Sequence, residues 1–256
     1  MRFETSMFAA MFFLAAQFAH AEIVVRDDAG LTVRLTAPAR RIVSLAPHVT
    51  EDLYAAGAGA YLVGAVDYSD YPAAAQQLPR VGGYSRLDLE AILALKPDLV
   101  IAWESGNPAA HLAKLKTLGV PLFISQPAKL DDIATSLERF GALAGTGAIA
   151  ADAARAFRAR LAGLRARYAN RPPVRSFYQI WNRPLVTING EQSISDVMRL
   201  CGAENIFAGL SQLAPTVTLE AVLAANPEAI VASGMNETRP EWLDMWQHWG
   251  QLTATA

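Results

Sequence analysis

The chain has 256 residues, 52% of them hydrophobic and 18% charged, enough to bury a full core in one large or two small domains and too apolar to stay disordered. Its 22 basic residues against 24 acidic ones, with no Lys/Arg run longer than two, leave no electrostatic footprint for nucleic acid. Cys201 is the single cysteine, so no intrachain disulfide can form, and its neighbours Val197, Met198 and Leu200 predict a buried small hydrophobe.

Arg2 precedes an apolar run over 7–16 that falls short of the roughly 20 residues a membrane span needs. Ala19-His20-Ala21 supplies the small residues required around a signal-peptidase cut. Residues 1–21 are therefore expected to be a cleavable signal peptide, and the mature chain to be exported and soluble. After it, Ile23 to Arg26 and Leu31 to Leu35 flank the turn signal Asp27-Asp28-Ala29-Gly30, which predicts a short opening hairpin.

From Arg41 strands and helices alternate. Strands are expected over 42–45, 62–66, 99–103 and 121–125, and helices over 50–56, 89–95 and 109–118. Short β-branched runs separated by helical periodicity point to parallel strands joined by helical crossovers. This first lobe, residues 22–146, gives way to an Ala- and Arg-rich segment without proline, 147–170. There Ile149, Ala153, Phe157, Leu161, Leu164 and Tyr168 form one apolar stripe. At 1.5 Å per residue it predicts a helix of roughly 33 Å, the breadth of a small domain. Its arginines are read as a solvated face on a packed helix.

The pattern restarts after Pro173, with strands over 174–181 and 229–231, helices over 193–200 and 219–225, and a last helix opened by Pro240. Residues 171–256 thus form a second lobe. The expected fold class is α/β: two α/β lobes with central, mostly parallel sheets, joined by one long backbone helix, with a ligand cleft between them. One unit occurs in both lobes: LDLEAILALKPDLVIAW at 87–103 and VTLEAVLAANPEAIVAS at 217–233 share seven of seventeen positions.

Catalytic motifs fail in turn: no G-x-S-x-G, Walker A, H-E-x-x-H or C-x-x-C is present, and a metal site built from the scattered His48, His111 and His248 has no motif behind it. No catalysis and no resident metal or cofactor is expected. Aromatic residues at strand ends carry the positive signal. Tyr68 and Tyr71 follow the strand 62–66, Tyr84 precedes the repeated helix, Trp103 closes the repeated strand and Trp181 ends the strand 174–181. Tyr61 and Tyr71 are read as ordinary packing aromatics. Ligands of open parallel sheets lie beyond the carboxyl ends of the strands, and rigid rings there suit a large, flat, amphipathic ligand. His48, after the first strand of the lobe, either bonds that ligand or caps a helix. Glu90 and Glu220 each sit in the first turn of a helix, where the partial positive charge favours a carboxylate. Matched one per lobe, they point to paired anchors for a symmetric partner.

The stretches RIVSLAPHVTEDLYAAGA, VDYSDYP, LPRVGGYSRLDLEAILALKPDLVIAW and LCGAENIF resemble the helical-backbone class of periplasmic substrate-binding proteins that serve ABC importers. Within it, SDYP and the V-I-A-W strand end are most similar to the cobalamin-binding members, and the resemblance spans roughly 40–256. It implies a periplasmic, monomeric protein that carries cobalamin or a related corrinoid as transported ligand to a permease dimer, in a nearly rigid cleft. Tyr68, Tyr84 and Trp103 match the family's corrin-contacting aromatics, Trp181 approximates another, and Glu90 and Glu220 match the glutamates that meet arginines of the permease. The family departs from this sequence in two places. A second-lobe aromatic falls near Ala214-Pro215, and another strand and closing helix follow where this chain ends at Ala256, so the second lobe is expected to be truncated at its end. An iron–siderophore or haem ligand on the same fold is the alternative; an exported metal-binding protein or hydrolase is a more distant one.

Overall fold

The computed structural model describes residues 22–83, 85–232, 241–250 and 252–255. The opening hairpin forms where the turn signal put it, β1 (Ile23–Arg26) antiparallel to β2 (Thr32–Leu35). Then follow β3 (Ile42–Ser44), α1 (Pro47–Ala55), β4 (Leu62–Ala65), the short antiparallel pair β5 (Gly82–Gly83) and β6 (Arg86–Leu87), α2 (Leu89–Ala94), β7 (Leu99–Trp103), α3 (Ala109–Thr117) and β8 (Leu122–Ser125). Strands β4, β3, β7 and β8 pair in that order, all parallel. Central strands of such a sheet are covered on both faces and read as unbroken apolar runs. Accordingly Ile42, Leu99, Ile101 and Phe123 enter one core, while Val43, Val100, Ala102 and Ile124 enter the other. The hairpin is fixed to this sheet by the buried Asp27, whose carboxylate accepts from the amides of Leu31 (2.7 Å) and Ile124 (3.2 Å).

Helix α4 (Leu130–Ala144) has no counterpart among the elements expected above. Ala134, Leu137, Phe140, Leu143 and Ala144 bury one face of it, and Gly145, at φ 69°, ends it in the left-handed conformation that glycine adopts without strain. Helix α5 (Gly147–Tyr168) packs against it. The two come close because Gly141 lacks a side chain and the Ala150 methyl takes that space. The anticipated apolar stripe of α5 is partly corrected: Ala150, Ala154 and Leu161 are buried, Phe157 is half-buried, and Ile149 is 55% exposed. Its arginines are paired at the surface, Arg158 to Glu138 and Arg165 to Asp131, each through two nitrogens. These hydrogen bonds hold the Glu138 and Asp131 carboxyls below their ordinary range. Exposed pairs of this kind contribute little stability.

The second sheet is built from β9 (Val174–Gln179), the small antiparallel pair β10 (Trp181–Asn182) and β11 (Leu185–Val186) beside it, α6 (Ser193–Leu200), β12 (Ala203–Asn205), α7 (Leu219–Ala225) and β13 (Ala229–Ala232). Strand β9 lies between β12 and β13, parallel to both. The strand expected over 174–181 is interrupted at Ile180, and β12 is a strand the sequence pattern did not reveal. The helix expected from Pro240 is a 3₁₀ segment, Glu241–His248, with Pro240 itself outside the described residues, and a further 3₁₀ turn spans Thr253–Thr255. Phe177, Phe207 and Trp246 meet edge-to-face in the core of this lobe. Cys201 is exposed, not buried: it falls at the C-cap of α6, where Met198 already takes the inward position.

The repeated unit folds the same way twice. Asp88 and Thr218 cap α2 and α7 through the amides of Ala91 and Ala221, and Ile92 and Val222 are fully buried. Lys96 and Asn226 adopt left-handed φ values of 46° and 44°. Beyond the repeat itself, Arg41 donates to the carbonyls of Leu95 and Lys96 and Arg175 to those of Ala225 and Asn226. The carboxylates of Asp98 and Glu228 accept from the backbone amides of the same two arginines. Each lobe therefore ties the end of its helix to the start of a central strand with one arginine and one acid.

Candidate ligand-binding cleft

Parallel strands bring their carboxyl ends to one edge of a sheet, and that edge carries the candidate residues of the first lobe. Past β3 the chain enters α1 at Pro47, a proline suited to the first helical position. His48 thus lies inside the helix rather than capping it. Trp103 ends β7. Its amide donates to Asn107 Oδ1 (2.7 Å), and Asn107 Nδ2 donates to the carbonyl of Leu45 (3.0 Å), so one buried asparagine locks the ends of β7 and β3 together. The indole lies on Gly106, where any Cβ would come closer than 3.0 Å to Cε3, Cζ3 and Cδ2. His48 meets the indole edge-to-face, with ring centroids 5.5 Å apart at 84°.

These two rings border a cavity of about 650 Å³. From the first lobe it is also lined by Asp52 of α1, Gln126 and Lys129 after β8, and Ile133 of α4. From the second come Ile180, Gln192 and Ser193 at the start of α6, and Leu213 and Ala214. The space thus lies between the lobes, apolar at Trp103, Ile133, Ile180 and Leu213, polar at Ser105, Gln126, Gln192 and Ser193, and charged at Glu51, Asp52, Lys129 and Glu191. Across this gap the Leu130 amide at the head of α4 donates to Asp196 Oδ2 of α6 (2.8 Å). A second groove, of about 490 Å³ at the end of α5, is lined by Arg165, Tyr168, Arg171 and Arg199.

Burial governs the electrostatics of the cleft. Desolvation holds the His48 imidazole neutral by lowering its pKa to about 4, and its buried Nε2 has no hydrogen-bond partner among the described residues. Asp52 moves the other way: burial, with the neighbouring Glu51 charge second, pushes its carboxyl up to about 7. Burial also raises Glu51 above the usual range.

Of the residues singled out in the sequence, His48 and Trp103 come together in this cavity. Tyr68 does not line it: the side chain is 70% exposed on the loop after β4 and the backbone takes a left-handed φ of 64°. That conformation is uncommon for a bulky residue. It is held by Arg80, which donates to the carbonyls of Val66 and Ser69, and by the buried hydroxyls of Ser44, Thr50 and Ser69. Trp181, 47% exposed, follows the lining residue Ile180 and packs edge-to-face on Trp242, centroids 5.0 Å apart. Tyr84 lies outside the described residues. Tyr61 packs beneath the Arg40 guanidinium as a packing aromatic should, whereas Tyr71, read the same way, is 69% exposed. Glu90 and Glu220 are exposed in the first turns of α2 and α7. Sequence reasoning missed Asp52, Gln126 and Gln192, polar residues whose place in the cleft depends on how distant elements pack. Among the described residues no three His, Cys, Asp or Glu side chains cluster as a metal site, and no helix is long and apolar enough to cross a membrane.

Comparisons with known proteins agree with this architecture. The vitamin B12-binding protein of Vibrio cholerae is 45% identical over 196 residues, 77% of this chain and 71% of the relative. A solved structure, the periplasmic vitamin B12 binding protein BtuF of Vibrio cholerae, superposes with a TM-score of 0.77 at 42% identity, covering 85% of this chain and 84% of that one. The periplasmic heme-binding protein RhuT from Roseiflexus superposes with a TM-score of 0.68 at 28% identity, covering 75% and 76%. The family model described as periplasmic binding protein matches residues 42–256, and the chain belongs to that family.

Proposed function

We propose that this protein captures cobalamin or a related corrinoid in the periplasm and delivers it to the permease dimer of an ABC importer, without catalysing a reaction. The observation that carries the reading is the inter-lobe cavity of about 650 Å³ walled by Trp103 and His48, in a chain 45% identical to a protein named for binding vitamin B12. A rigid indole beside a neutral imidazole, in a cavity that also carries Gln126, Gln192 and Ser193, suits a broad ring system with a rim of neutral amides. In this reading the lobes are residues 22–146 and 171–256, bridged by 147–170, and Trp103 and His48 form the inner wall of the site. Tyr68, Tyr84 and Trp181 are assigned to the outer edge of the site, to meet the parts of the ligand that project beyond the cavity. Glu90 and Glu220, on matched helices of the two lobes, dock on basic sockets of the permease, one per permease subunit. Residues 1–21 direct export and are removed in the course of it, and the carrier works as a monomer.

A competition assay separates the ligand classes. The protein is incubated with equimolar cyanocobalamin and haemin, freed of unbound ligand by gel filtration and examined by absorption spectroscopy. A corrin spectrum in the protein fraction is expected; a Soret band in its place would transfer the assignment to haem.

A further inference from the structure

Asp52 stands one helical turn after His48 on α1, so the two side chains share a face, and both line the inter-lobe cavity. Its carboxyl forms no ion pair or hydrogen bond among the described residues. The groups around it offer little compensation for a negative charge. His48, on the same helix, is neutral above a pKa of about 4, and Glu51 beside it adds repulsion. Lys129 at the head of α4 and Glu191 before α6 line the same cavity with opposite charges, and neither is among the causes acting on Asp52. The ligand-free carboxyl is consequently poised near neutrality, at about 7, and a flat macrocycle laid over it removes more water and disfavours the charged form further.

We propose that Asp52 is a ligand-recognition residue that enters the complex as the neutral carboxylic acid, donating a hydrogen bond to an amide carbonyl on the rim of the bound macrocycle. The inference rests on the corrinoid reading above and adds a residue and a protonation state to it. An ionised carboxylate can only accept hydrogen bonds, whereas the acid offers a donor to a ligand whose rim presents carbonyl oxygens. Binding then takes up a proton whenever the free protein has lost it. Affinity is therefore flat in mild acid and falls as pH rises through neutrality.

The test is a calorimetric titration with cyanocobalamin at pH 6, 7 and 8 on the wild-type protein, Asp52→Asn and Asp52→Ala. For a group titrating near 7 and bound only as the acid, the wild-type Kd rises about tenfold between pH 6 and pH 8. Asp52→Asn, whose amide donates at every pH, loses the slope. Asp52→Ala loses both the slope and the hydrogen bond, and binds more weakly than the wild-type protein at pH 6. Wild-type affinity that stays level from pH 6 to 8, or a slope that survives in Asp52→Asn, overturns the proposal while leaving the corrinoid reading in place. Absence of cyanocobalamin binding at every pH overturns the corrinoid reading itself, and this inference with it.

Discussion

Replacing Gly106 by alanine tests the seat of Trp103 without touching any group proposed to bond the ligand. The backbone at 106 lies outside the left-handed region, so alanine adopts it without strain. The new methyl, however, would stand closer than 3.0 Å to three atoms of the indole, where ordinary contact begins at 3.4 Å. The ring must therefore shift by roughly 1–1.5 Å to reach ordinary contact, and since on a dispersion potential a gap of about 1 Å already forfeits about half of the well, half or more of its contact energy is lost. An aromatic anchor at the centre of a binding site is worth about 2 kcal/mol or more on truncation, so the expected loss is about 1–2 kcal/mol, roughly 5- to 30-fold in Kd. Quenching of tryptophan fluorescence by cyanocobalamin measures it, with thermal melting in parallel; because the methyl overpacks a ring that rests on the core, stability should fall by about 1–3 kcal/mol, and binding is compared at a temperature where both proteins are folded. A well-folded Gly106→Ala protein binding within twofold of wild type would refute the placement of Trp103 in the site.

Three further outcomes are expected. The folded-state pKa of His48, about 4 against an ordinary 6.5, means that the unfolded chain takes a proton below 6.5 while the fold refuses it. Stability is therefore full above 6.5 and falls toward pH 4, by about 3 kcal/mol. Asp52 has the opposite sign, since its raised pKa favours the fold at low pH and the advantage fades as pH rises through about 7. Urea melts of His48→Gln should thus lose acid sensitivity relative to wild type, and those of Asp52→Asn should gain stability relative to wild type at pH 8; identical pH profiles in all three proteins would contradict both. Arg41→Ala and Arg175→Ala, which each free the last carbonyls of a matched helix, should each cost about 1–2 kcal/mol in the same melts, and a large difference between the two would speak against structural equivalence of the repeats. Glu90→Arg combined with Glu220→Arg should abolish carrier-stimulated ATP hydrolysis by the reconstituted transporter with cyanocobalamin affinity unchanged; full stimulation would remove both glutamates from the docking surface.

Much of the fold was legible because its signals are local. The apolar run Leu99 to Ala102 marks a central strand, Gly57 and Gly119 end helices, and the repeat at 87–103 and 217–233 announced equivalent lobes that the structure extends to Arg41 and Arg175. Trp103 could be placed at the cleft because a strand-end aromatic in a parallel sheet has few other destinations. Helix α4 was missed although Ile133, Leu137, Phe140 and Ala144 recur at helical spacing and Gly145 stops them, the pattern by which an amphipathic helix is legible. Asp52 could not be singled out at all. Its perturbed carboxyl depends on burial in the packed protein and on a cavity whose other walls come from residues 126–133 and 180–214. Gly106 was equally silent, because a glycine beneath an indole differs from any loop glycine only through the ring that rests on it. The exposure of Cys201 and Ile149 turned on helix phase and helix end, which neighbouring hydrophobic residues do not specify.

If the space between the lobes holds a corrinoid, isothermal titration of the purified, ligand-free protein with cyanocobalamin will register it. A one-to-one complex is expected, with Kd below about 1 μM, equivalent to more than about 8 kcal/mol of binding free energy, and weakened by Gly106→Ala. Saturation with haemin at that affinity, with no heat from cyanocobalamin, would contradict it.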